Sequence, residues 1–115
     1  MKENELRLGN KLTNFLGEVF DCNAETIRSF ESNYFPYGKP LPIPLTEEWL
    51  LKFGFEKKGV NRTRWTFWKI DLVEDEKGIY SFDESRIYID IKYVHQLQNL
   101  YFALTNEELT YEQQK

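Results

Sequence analysis

Cysteine is almost missing from this chain. Cys22 stands alone, so no internal disulfide can form and the fold must be held by packing and hydrogen bonds. That usage points to a reducing compartment. The thiol sits in Glu18-Val19-Phe20-Asp21-Cys22, without a basic neighbour to depress its pKa, and reads as a small apolar residue rather than a nucleophile. Histidine is equally scarce. His95 is the only one, which excludes a multi-histidine metal centre and leaves a histidine base without an evident nucleophile or orienting group. No apolar run approaches the roughly 20 residues that cross a bilayer, and Met1–Glu5 lacks the apolar stretch of a secretory signal. A cytoplasmic protein without a membrane contact is expected.

Net charge is −4 and the pI is near 5.1, so the mean field repels nucleic acid and anionic lipid unless a local basic patch intervenes. Aromatic residues, at 17%, are what the chain has in excess. Large flat side chains favour strands and interfaces. With 115 residues, one core and a single domain over 1–115 are expected.

The pattern along the chain is α+β: an antiparallel β-meander packed against a C-terminal helix, with an N-terminal β-hairpin and a short helix at about 46–53. Gly17 punctuates short apolar runs, which predicts a hairpin of 10–15 and 18–22, and Asn23 caps a helical turn over Ala24–Phe30. Four prolines, Pro36, Pro40, Pro42 and Pro44, hold the next segment extended and forbid a central strand. It is expected to lie as a strap with Leu41 and Ile43 pinned inward; the alternative is a proline-rich ligand for an aromatic groove. Thr46 as N-cap, Glu47 and Glu48 in the first turn, the Leu45–Leu50 staple and Gly54 as terminator define the short helix.

Beyond it, alternation predicts strands 63–73, 79–83 and 86–91. Pairing Phe82 with Ile87, Tyr80 with Ile89 and Leu72 with Tyr80 puts Trp68, Ile70, Leu72, Tyr80, Phe82, Ile87, Ile89 and Ile91 on the core face. Trp65 and Phe67 then fall on the opposite face. Val94, Leu97, Leu100, Tyr101 and Leu104 make the stripe of a helix over 94–104, and the tail from Asn106 is expected to fray.

Catalytic, cofactor-binding and metal-binding residues are not identifiable. Glu74-Asp75-Glu76 lacks the glycine-bearing spacing of a calcium loop and reads as a solvated loop. The segment 56–69, which contains the basic and aromatic strand 57–69, is more informative, with Lys57, Lys58, Arg62, Arg64 and Lys69 against Glu56 alone, interleaved with Trp65 and Phe67. Cations beside exposed rings hold single-stranded nucleic acid by phosphate neutralisation and stacking. That function requires the rings to be free and the cations to converge. Cover by the N-terminal hairpin would defeat it. His95, Gln98 and Phe102 lie on the side of the last helix that the core does not need, as a contact for the N-terminal half or for a partner.

The run Pro42-Ile43-Pro44-Leu45-Thr46-Glu47-Glu48-Trp49-Leu50-Leu51-Lys52-Phe53-Gly54-Phe55, the run Tyr93-Val94-His95-Gln96-Leu97-Gln98-Asn99-Leu100-Tyr101-Phe102-Ala103-Leu104-Thr105 with Glu107-Glu108-Leu109, and the opening Asn4–Asn10 resemble a family of small proteins encoded by gut anaerobic bacteria and their prophages or mobile elements. The resemblance covers about a third of the chain. It implies a bacterial or phage cytoplasmic setting and carries over no catalytic residue. The expected function is a non-enzymatic interaction or accessory protein with a protein partner, no cofactor and no membrane role. The alternatives are a single-stranded nucleic-acid module on 57–69 and an enzyme with dispersed site residues.

Overall fold

The structure, a computed structural model, describes residues 6–14, 16–36, 38–59, 63–67, 70–84 and 87–109. Its elements are β1 (Lys11–Thr13), β2 (Val19–Asp21), α1 (Ala24–Ser32), β3 (Leu41–Pro42), α2 (Glu47–Lys52), β4 (Glu56–Lys58), β5 (Thr63–Phe67), β6 (Ile70–Glu74), β7 (Tyr80–Glu84), β8 (Ile87–Ile91) and α3 (Val94–Thr105). They form an α+β fold with two antiparallel sheets, one ordered β2-β1-β3 and the other β4-β5-β6-β7-β8. Helix α3 touches both, reaching β1 on one side and β8 on the other.

The N-terminal hairpin and its helix form where expected. Asn23 accepts from Thr26 N–H at 2.9 Å while the Thr26 hydroxyl accepts from Asn23 N–H, a reciprocal cap that starts α1. The strap then joins the two sheets. Leu41 and Pro42 pair with Thr13 and Leu12, after which Leu45 N–H donates to Lys92 O at 2.9 Å and Val94 N–H to Ile43 O at 2.8 Å. Ile43 is buried, as expected. Leu41 is not: it lies on the outer face of the small sheet, and only by Ile43 has the strap crossed to the larger sheet and its core.

Helix α2 is one turn and a half long. Thr46 is its N-cap by backbone conformation, but its hydroxyl makes no capping bond, so Glu47 and Glu48 carry the polar side of this terminus. Gly54 ends it at φ +94°, with Phe55 N–H bonded to Leu50 O at 3.0 Å. A Cβ there would also stand 3.3 Å from the Phe67 ring, a tight approach that adds to the backbone reason for glycine.

The larger sheet departs from expectation at one decisive place. What reads as a single strand over 63–73 is two: the chain reverses between Phe67 and Ile70, which pair with each other, as do Trp65 and Leu72. Reversal across two residues switches parity, so Trp65 and Phe67 share the face of Ile70 and Leu72 instead of opposing it. Trp68, expected in the core, lies outside the described residues. The two following hairpins keep their faces but slip by two residues. Leu72 pairs with Phe82, Phe82 with Ile89 and Tyr80 with Ile91. Asp75 accounts for the first slip. Its carboxylate accepts from Lys77 and Ile79 N–H at 2.8 and 2.9 Å, holding a turn centred on Lys77, one residue later than expected, so that Glu74 pairs with Tyr80.

The main core gathers Trp65, Ile70, Leu72, Phe82 and Ile91 from the sheet, Trp49, Leu50, Phe53 and Phe55 from α2 and its exit, and Val94, Leu97 and Tyr101 from α3. Ile89, expected within it, is 40% exposed. Among the described residues it sits on the last strand of the sheet, at the rim of the core, with no further strand beside it. The side chain of Ile87 is outside the described ones. Leu109 is buried in this core as well, so the chain past Asn106 docks instead of fraying, at least to that point. A second, smaller core holds Leu6, Leu12, Cys22 and Phe30 beneath the three-stranded sheet.

Candidate functional site

The side of α3 that looks polar in sequence is buried against the small sheet. Gln98 accepts from Lys11 N–H at 2.8 Å and donates to Gly9 O at 3.2 Å, so one amide closes on both a backbone donor and a backbone acceptor. Asn99 Oδ1 accepts from Asn10 Nδ2 at 2.9 Å and from Arg7 Nη1 at 3.0 Å. The Arg7 guanidinium also lies 3.9 Å from the Phe102 ring centre and pairs with Glu108. Asn10 and Gln98 are within 2% of complete burial. Satisfied amides cost little there, whereas losing one partner would strand the other. His95 is buried too, stacked on Tyr93 with ring centres 5.9 Å apart. Of the side chains assigned to a partner surface, His95 and Gln98 are therefore interior, and Phe102 is half-buried under Arg7. The pairing of two amides on α3 with Arg7 and Asn10 near the N-terminus was the signal available for this, because such residues need mutual partners when buried.

The basic segment is taken apart by the same geometry. Trp65 is 0% exposed, enclosed by the main core, with its Nε1–H donating to Glu74 Oε1 at 3.0 Å. No N-terminal hairpin is needed to cover it. Phe67 packs on Phe55 and Tyr101 at 5.3 and 5.8 Å between ring centres. Neither ring offers a stacking face, which corrects the placement of both on the solvent side. The cations also diverge. Lys57 pairs across the ladder with Trp65, near Glu47 at 3.9 Å and 5.8 Å from the Trp65 ring centre, while Lys58 stands opposite Arg64 on the other face. Lys57, Lys58 and Arg64 are all exposed, and Arg62 falls outside the described residues.

Ionisable groups inside the fold are few. Burial pushes the Tyr80 hydroxyl above its ordinary range, and the carboxylates of Glu74 and Glu47 add to the rise. Burial likewise raises the Cys22 thiol, which keeps it protonated and poorly nucleophilic. Among the described residues no three His, Cys, Asp or Glu side chains are grouped to hold a metal ion, and no helix is long and apolar enough to cross a membrane.

No family model, curated protein or solved structure matches this chain. Its surface is thus the remaining guide. One row on the outer face of the small sheet runs Val19–Thr13–Leu41 across all three strands. Val19 is 47% and Leu41 55% exposed, with Leu16, at the hairpin turn, 67% exposed. On the larger sheet the outer face carries Lys58 and Arg64 at the β4 end and Asp90 at the β8 end.

Proposed function

We propose that this chain is a non-enzymatic interaction or accessory protein, working in the bacterial or phage cytoplasm that the resemblance of 42–55 and 93–109 implies. The observation that carries the reading is the apolar row Val19–Thr13–Leu41 with Leu16 beside it, exposed on a sheet whose opposite face is fully used by the small core. Apolar side chains gathered on one face, rather than scattered singly, mark contact surfaces. The polar groups that might have served chemistry, Gln98, Asn99, Asn10 and Arg7, are instead spent on joining the small sheet to α3.

A photo-crosslinking residue at Leu41 tests this in the producing cell. A discrete protein adduct is expected, suppressed by excess wild-type chain but not by the Val19→Lys/Leu41→Lys variant, and missing when the crosslinker replaces Lys77 on the remote turn. The enzyme alternative makes the opposite forecast. A nucleotide, sugar or metal that raises Tm in a ligand screen, with no adduct at Leu41, would favour it. Among the described side chains, the nucleic-acid alternative keeps the exposed cationic pair Lys58 and Arg64, while Trp65 and Phe67 are packed inward.

A further inference from the structure

The two sheets present four lateral edges, and they are not equally protected. At the β3 edge Pro40, Pro42 and Pro44 remove every second backbone donor. The β4 edge is Glu56-Lys57-Lys58, exposed and charged at each position. The β2 edge is three residues long, and the side chain on its inner face, Phe20, already packs against the small core. The β8 edge differs. It is a five-residue strand, Ile87-Tyr88-Ile89-Asp90-Ile91, with neither proline nor lysine.

Its backbone directions follow from the ladder. Asp75 N–H bonds to Ile79 O at 3.0 Å, which makes Val73 and Ser81 the next bonded pair across β6 and β7. Tyr80, Phe82 and Glu84 therefore turn their peptide groups to Ile91, Ile89 and Ile87, and Tyr88 and Asp90 direct theirs out of the sheet. Beyond Asp90 the same alternation reaches Lys92, whose carbonyl accepts from Leu45 of the strap at 2.9 Å. Lys92 N–H is taken by Gln96 at 2.8 Å. The chain thus already lays an extended segment of its own on this edge, antiparallel at Pro44 and Tyr93, and then leaves it for α2. The next two rungs, at Asp90 and Tyr88, continue the line of the strap. Beside them Ile89 remains 40% exposed on the inner face and Asp90 is exposed on the outer face.

We propose that the β8 edge accepts an extended segment of a partner protein, with an apolar side chain opposite Ile89 and a neighbouring lysine or arginine opposite Asp90. This deepens the interaction reading above and uses a surface separate from the Val19–Leu41 row. The added strand takes up the N–H and C=O groups of Tyr88 and Asp90. Its apolar residue closes the rim of the main core over Ile89. Its basic residue meets the Asp90 carboxylate, and the chain's net charge of −4 favours such a segment over an acidic one.

The probe is an acetylated, amidated peptide of alternating lysine and valine, titrated into the full isotope-labelled chain and followed by amide NMR. Shifts confined to Ile87–Ile91 and to Leu45 and Thr46, with slowed exchange of the Tyr88 and Asp90 amides, are expected. The same peptide N-methylated at alternate residues should give none. Asp90→Lys should weaken binding at least about tenfold. Asp90→Pro should abolish it with the fold intact, since Ser81 and Asp90 exchange no ladder bond. An absence of shifts at millimolar peptide overturns the proposal. So do equal shifts from the N-methylated or a glutamate–valine peptide, or concentration-dependent shifts at β8 without peptide, which would make a second copy the occupant. Peptide binding that survives in the Val19→Lys/Leu41→Lys variant, the same variant that fails to suppress the Leu41 adduct as a competitor, separates this site from the other surface.

Discussion

The two sheets of this molecule are built on opposite principles, although one helix serves both. The five-stranded sheet meets α3 through apolar contact, with Val94, Leu97 and Tyr101 set into a core that includes large side chains from four strands and the inner face of α2. The three-stranded sheet meets the same helix through amides, Gln98 and Asn99 on α3 answering Gly9, Asn10 and Lys11, with Arg7 reaching over Phe102. Its own core is four buried residues with three partly buried neighbours. Apolar contact is strong and tolerant of small displacements. Buried hydrogen bonds contribute less each but demand one geometry. The larger sheet therefore supplies stability, and the smaller one is held at a specified angle.

The widest test of that contrast is Trp65→Ala. Removing the central ring of the larger core should cost about 3–5 kcal/mol and lower both sheets together in denaturant unfolding. A loss under about 1 kcal/mol, or unfolding confined to 56–91, would mean that α3 does not couple the two. Gln98→Ala attacks the other interface. It leaves the half-buried Lys11 N–H and the Gly9 carbonyl without their partner, and about 1–3 kcal/mol is expected. Hydrogen exchange should rise first in residues 9–22, ahead of the larger sheet. Uniform acceleration across the chain would show the two regions to be one cooperative unit. Ile89→Ala is the smallest. On an exposed rim it should cost less than about 1 kcal/mol, against 2–5 for a core isoleucine, by chemical denaturation.

Local chemistry made much of this fold legible. Asn23 with Thr26, the Glu47-Glu48 turn and Gly54 mark helix ends by interactions that involve a few adjacent residues, and α3 announces itself by its stripe. The failure between Phe67 and Ile70 has an equally local cause. Trp68 and Lys69 are neither glycine, proline, asparagine nor aspartate, so the alternation reads straight through a chain reversal, and every side chain before it is assigned to the wrong face. The expected exposure of Trp65 and Phe67 rested on that single assignment. Gln98 was misread for a different reason. Polarity on a helix face implies water only if nothing else supplies donors and acceptors, and here the backbone of residues 9–11 supplies them. That supply is a tertiary property which no window on 94–105 contains.

Helix α3 has an inside on two sides, and this bears on how the chain can drift in sequence. A surface helix ordinarily keeps half of its positions free to change. On α3 the apolar stripe answers to one sheet while Gln98 and Asn99 answer to another, which leaves Ala103 and Leu104 near its end among the few positions in solvent. A substitution elsewhere along it must satisfy two neighbours at once, and a compensating change in one sheet cannot repair the other. The strands carry no such double obligation. Their outer faces can exchange residue for residue, so diversification of this molecule is expected to run through the sheet surfaces and edges while the helix between them stays fixed.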